Sequence, residues 1–121
     1  MGRIVATGFA FLKMNEILLV ITNLPDVPSA EKLARRLVEL GAAACVNQLA
    51  PCASTYRWKG KIETATEVPL LIKTTRAAYP GLEKSIREAH PYELPEIIAV
   101  SVTAGLPAYL DWVSEQAIIK E

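Results

Sequence analysis

Histidine is nearly absent from this chain: His90 is the only one in 121 residues. A single imidazole excludes a His–His metal pair and the HExxH arrangement, and it leaves no spare base for a Ser–His–Asp triad. Cysteine is scarce too. Cys45 and Cys52 cannot make a disulfide scaffold, and without a C-x-x-C pair neither a redox motif nor a zinc site is indicated. Net charge is missing: 13 basic and 13 acidic residues cancel. That balance speaks against nucleic-acid binding driven by counterion release and against a polybasic membrane-surface protein. No apolar run reaches bilayer-spanning length. There is no glycine-rich phosphate loop, internal repeat or low-complexity tract.

What is present is the composition of an ordinary globular domain, 51% hydrophobic and 21% charged, which excludes a disordered chain. At this length one domain buries about two-thirds of its unfolded surface, enough for a core without metal or disulfide staples. The two thiols therefore read as reduced, small hydrophobic side chains of a cytosolic protein. Residues 4–12 form a short apolar stretch behind Arg3, superficially a signal segment. Lys13 and Glu16 follow with no small-x-small cleavage site between. Residues 1–13 are expected to be an N-terminal extension or a cloning remnant, and 14–121 a single domain.

Residues 16–23 carry ILLVI and end in Asn23-Leu24-Pro25-Asp26, a buried strand by length and branching. Ala30, Leu33, Ala34, Leu37, Val38 and Gly41 recur at helical spacing, with Asp26 or Ser29 as cap and Gly41 as terminator. Extended chain over 42–58, interrupted by Pro51, turns at Lys59-Gly60 into a strand over 61–74. Tyr79, Leu82, Ile86 and Ala89 mark a second helix, stopped by His90-Pro91. Residues 96–103 make a fourth strand, and a short helix carries Tyr109, Leu110, Trp112 and Val113. The order β-α-β-β-α-β plus a C-terminal helix predicts an α+β, ferredoxin-like sandwich with the first and third strands central.

The hairpin arms are too long for such a fold. Arms of about 14–17 residues reach roughly 45–55 Å, whereas a sheet under two short helices needs about 17–20 Å. The excess would project as a two-stranded ribbon carrying Val46, Tyr56, Trp58, Ile62 and Val68. Exposed ribbon edges invite pairing, so oligomerisation is expected unless Pro51 and Pro69 break the arms into pieces of one sheet.

Chemistry-bearing residues concentrate in one loop. His90, Tyr92, Glu93 and Glu96 fall within seven positions, stiffened by Pro91 and Pro95. His90 ends a helix, where it either caps carbonyls or offers a ligand. Lys73 follows the apolar run PLLI and can pair with Glu96 or hold an anion. Tyr56 with Trp58, and Tyr109 with Trp112, are spaced as packing anchors.

Ala44-Cys45-Val46-Asn47, the YxWxGKIE string from Tyr56 to Glu63, Ile72-Lys73-Thr74, the HPYxxPEII string from His90 to Ile98, and Tyr109-Leu110-x-Trp112 occur in this order. Together they resemble the CutA family of divalent-cation tolerance proteins, from about residue 16 to the C-terminus. The resemblance implies a homotrimer with long hairpins wrapped around neighbours, in the cytosol, linked to tolerance of copper and other divalent cations, with an architecture similar to PII signalling proteins. It places Asn47, Tyr56, Trp58, Lys73, His90, Tyr92 and Glu96 at clefts between subunits.

Two departures from the family bear on function. Thr22 stands where some members carry a metal-binding cysteine, and Pro69 falls in a strand usually uninterrupted. A site for Cu(II) or another divalent cation is therefore expected to be weak and assembled across subunits from His90, Glu93 and Glu96. No fixed cofactor is implied, nor a nucleic-acid or membrane partner. The alternative is a PII-like sensor in which Lys73 and the HPY loop hold a small anionic metabolite. An enzyme using Tyr92 or His90 as acid or base lacks a visible nucleophile–base pair.

Overall fold

The computed structural model describes residues 16–120, so the extension expected over residues 1–13 lies outside the described residues. Strand β1 (Ile17–Leu24) leads into helix α1 (Val27–Glu39), followed by strands β2 (Cys45–Gln48), β3 (Cys52–Trp58) and β4 (Lys61–Thr75). Helix α2 (Tyr79–Ala89), strand β5 (Ile98–Ser101) and helix α3 (Pro107–Gln116) complete the order. The fold is a mixed α+β arrangement of an antiparallel sheet and three helices.

Helix α1 starts where the sequence places its cap. The Asp26 carboxylate accepts the Ser29 N–H at 2.8 Å, satisfying a free donor of the first turn, and this bond holds its carboxyl below the ordinary carboxylate range. The helix ends at Gly41, whose φ of +76° is left-handed. A Cβ there would lie 1.9 Å from the Ile118 carbonyl oxygen. The residues after α3 thus press on the end of α1, where the Lys120 N–H donates to the Leu40 carbonyl at 2.7 Å.

Strands β1 and β4 pair along all of β1, from Ile17 opposite Thr75 to Leu24 opposite Val68, and they occupy the centre of the order β2-β4-β1-β5. Alternation sends Leu18, Val20, Thr22 and Leu24 to the same face as Val68, Leu70 and Ile72. Leu33 and Leu37 of α1 and Leu82 and Ile86 of α2 close over that face as one core. Each buried aliphatic side chain contributes about 1.5–3 kcal/mol.

The opposite face is treated differently. At its Ile17 end it is covered by α3, where Val113 packs with Ile17 and Ala44. Beyond that end, Leu19, Ile21, Leu71, Cys45, Asn47, Lys73, Ile98 and Val100 form rows that no helix of the described residues covers. Ile98 and Val100 are 49% and 51% exposed.

The long hairpin divides as its prolines dictate, though only one of them breaks a strand. Residues 49–51 separate β2 from β3, while β4 runs unbroken through Pro69. The Pro69 carbonyl accepts the Leu49 N–H at 3.0 Å. A residue's donor and acceptor point to the same antiparallel neighbour, so the missing N–H of Pro69 faces the gap between β2 and β3. The interruption expected at Pro69 is therefore absent. The outer halves, Cys52–Trp58 against Lys61–Glu67, form a ribbon about 24 Å long. Its turn has positive φ at both Lys59 and Gly60, the type I′ geometry of a two-residue hairpin. β5 is shorter than the strand expected over 96–103, since its pairing with β1 runs only from Ile98 opposite Ile21 to Ser101 opposite Leu18.

Gly41→Ala combines a left-handed φ with a backbone collision. It is expected to destabilise the chain by about 2 kcal/mol or more, read as a lower midpoint in urea unfolding. An unchanged midpoint would mean that the chain after α3 does not press on α1.

Candidate functional site

His90 closes α2, its backbone N–H bonded to the Ile86 carbonyl at 2.9 Å. The ring is buried, 8% exposed, and both nitrogens are engaged. Nδ1 lies 3.2 Å from the Tyr92 backbone nitrogen, and Nε2 lies 2.6 Å from the Asn23 carbonyl oxygen. A backbone N–H can only donate, so Nδ1 accepts, Nε2 carries the proton and the imidazole is neutral. The ring thus ties the end of α2 to the end of β1 and turns the following loop back on itself. The Tyr92 ring sits against it, 4.7 Å between centroids.

Asn23 connects this anchor to the loop's acid. Its backbone carbonyl takes His90, and its side-chain amide donates to Glu96 Oε1 at 2.9 Å. Glu93 is exposed and bonds to nothing among the described residues. Among those residues no three His, Cys, Asp or Glu side chains come together as a metal-holding group. His90, Glu93 and Glu96 are thus neighbours on one loop but not a ligand set within one chain, because the imidazole lone pair is already used.

Tyr92 meets a second acid from the sheet. Burial pushes its hydroxyl above 10.0, the ordinary tyrosine value, and the negative charge of the Glu67 carboxylate adds to the shift. Tyr56 and Asp26 contribute smaller repulsions. Glu67, 9% exposed, lies on the uncovered face by the alternation of β4. The structure therefore gathers His90, Tyr92 and Glu96 around the C-terminal end of β1, with Asn23, Asp26 and Glu67 added, while Tyr56 stands out on the ribbon opposite Glu63.

Lys73 and Asn47 form a separate pair on the same face. The ammonium donates to Asn47 Oδ1, and the lysine sits opposite Leu19 on one side and Cys45 on the other. Trp58 is remote from both groups, at the ribbon turn beneath the Lys59 ammonium at 5.7 Å. Thr22 points into the helix-covered core, fully buried, with no partner for its hydroxyl among the described residues. A side chain at that position faces away from the open face.

Asn23 and Glu67 escaped the sequence reading. Asn23 looked like strand-ending punctuation, and Glu67 was an ordinary polar residue of an arm. A signal for Glu67 existed: it belongs to the odd-numbered set with Lys73, which the alternation of β4 places on one face.

Two expectations test this geometry. His90→Ala leaves the Asn23 carbonyl and the Tyr92 N–H without partners, which costs about 2 kcal/mol. Urea unfolding at neutral pH measures it, and a variant as stable as the parent would contradict the bridging role. Tyr79, half-buried with its hydroxyl bonded to Glu83, is raised as Tyr92 is. In ultraviolet titration these two tyrosines should ionise above the ordinary value, and Tyr92→Phe should remove one high-pH step. Since the folded values are raised, their contribution to stability is present below about 10 and is lost as pH rises through the folded values.

The model of the CutA1 divalent ion tolerance protein family matches residues 18–116. The mouse protein CutA is 45% identical over 91 residues, 75% of this chain and 51% of that protein, so the chain spans about half of that relative's length. A crystal structure of CutA from Xylella fastidiosa superposes with a TM-score of 0.82 at 47% identity, covering 85% of this chain and 99% of that one. A structure described as the periplasmic divalent cation tolerance protein CutA from Archaeoglobus fulgidus superposes with a TM-score of 0.81 at 34% identity, covering 84% and 99%.

Proposed function

The chain belongs to the CutA1 divalent ion tolerance family, and on that premise we propose that it is a homotrimeric protein of divalent-cation tolerance and response, binding copper or a similar cation weakly at clefts between subunits. We read it as a binding protein rather than an enzyme. The observation that carries the reading is the sheet face left open beside an acidic loop. A row of apolar side chains leads to Glu96 and the exposed Glu93. The strand order, with α1 and α2 on one face, supports a ferredoxin-like protomer. The isolated ribbon, whose side chains are mostly exposed, supports assembly, since a lone two-stranded ribbon is marginal in water. No helix of the described residues is long and apolar enough to cross a membrane. The free thiols of Cys45 and Cys52 agree with a reducing, cytosolic compartment.

The donor set of one chain does not fit a dedicated metal centre, because His90 is committed and no three His, Cys, Asp or Glu side chains come together among the described residues. A cation therefore needs oxygen or nitrogen donors from a second copy, with Glu93 and Glu96 as this chain's share and His90 as the anchor that positions their loop. A second reading has its own observation. Lys73 makes no ion pair among the described residues, so an anionic metabolite is the alternative ligand.

Light scattering should give the mass of three chains at micromolar concentration. Trp58→Ala should weaken assembly by about 2 kcal/mol if the ribbon tip inserts into a neighbour. Calorimetric titration separates the ligands. Cu²⁺ should bind weakly, and several-fold more weakly to Glu93→Gln. A flat Cu²⁺ isotherm beside clear nucleotide binding would replace this reading with the second.

A further inference from the structure

The uncovered face carries two charged groups of opposite sign that never meet within the chain. Lys73 projects from β4 and is held by the Asn47 amide oxygen. Glu96 lies at the other end and is held by the Asn23 amide nitrogen. Lys73 stands opposite Leu19 in β1, four residues from Asn23, which is about 14 Å along a strand. That gap is far beyond ion-pair contact. Each charge is thus oriented by an asparagine and left without a counter-charge among the described residues. Between them lie Ile21, Leu71, Ile98 and Val100, apolar and partly or largely exposed.

Covering such a face places both charges in a low-dielectric interface, where an unpaired ammonium or carboxylate is strongly unfavourable. An apolar partner surface leaves both unpaired. A second copy of this chain carries the complementary charge for each. We propose that the open face closes on a second copy through an ion pair between Lys73 of one chain and Glu96 of the partner subunit. The inference rests on the trimer reading and specifies its contact. In a closed ring each copy gives its lysine to one neighbour and its carboxylate to the other, a head-to-tail contact that fixes the direction of assembly. Glu67 is the other acid on this face, but it is buried and engaged with Tyr92. The assignment takes Lys73 from an anionic metabolite and Glu96 from a cation alike, and it narrows this chain's share of a cation site to the exposed Glu93.

The experiment is a charge-reversal cycle on the full chain: Lys73→Glu, Glu96→Lys and the double variant. Folding is checked by circular dichroism, and association is measured by sedimentation over a dilution series. Each single reversal should raise the dissociation constant at least tenfold, and the double variant should return to within about threefold of the parent. Should reversal prevent folding, Lys73→Met and Glu96→Gln close the same cycle, with the double variant losing less than the sum of the singles. A trimeric parent whose variants assemble equally well, or whose losses simply add, overturns the pairing and leaves the trimer standing. A monomeric parent overturns both. Loss of nucleotide binding in Lys73→Met, with assembly unchanged, assigns the lysine to an anion and also overturns the pairing.

Discussion

A sheet that carries apolar side chains on both faces has two faces to keep from water, and the described residues supply enough helix for one of them. Helices α1 and α2 close over Val20, Leu24, Leu70 and Ile72. On the reverse side α3 reaches only the Ile17 end. The remaining rows, and the ribbon that extends β4 past the body, have no covering among the described residues. Both features pose the same problem: apolar surface and strand edges that a small soluble domain does not leave open. The functional residues lie along the boundary of that surface.

His90 illustrates how position decides chemistry. It is the residue a search for metal ligands would choose first, yet it spends both nitrogens on backbone groups. Its work is to hold the HPY loop against the end of β1, so that Tyr92 meets Glu67 and Glu96 meets Asn23. The carboxylates that remain free are oxygen donors, suited to a cation only in company. Thr22 points the same way: its side chain is in the core, so this position adds no donor to the open face.

Much of this was legible in the residues. The helical stripes, the Asp26 cap and the Lys59-Gly60 turn follow from local periodicity and turn chemistry. Those are properties of neighbours in sequence. Contacts between distant residues were not legible. The Asn23–Glu96 bond joins residues 73 apart and the His90–Asn23 bond residues 67 apart, and no pattern along the chain announces either. Pro69 misled for a related reason. Its effect depends on which neighbour its missing N–H faces, and that is settled only by where β2 ends.

Whether the open face and ribbon are covered in solution is most directly read by amide hydrogen exchange, followed by mass spectrometry on the native protein. Local stability follows burial of apolar contacts and shielding of hydrogen bonds. In an assembly that covers these surfaces, the amides of Cys52–Trp58 and Ile98–Ser101 should exchange nearly as slowly as those of β1. They should speed up on dilution below the dissociation constant. Exchange of both segments within seconds at neutral pH, at every protein concentration, would mean that the face stays open and would contradict the account.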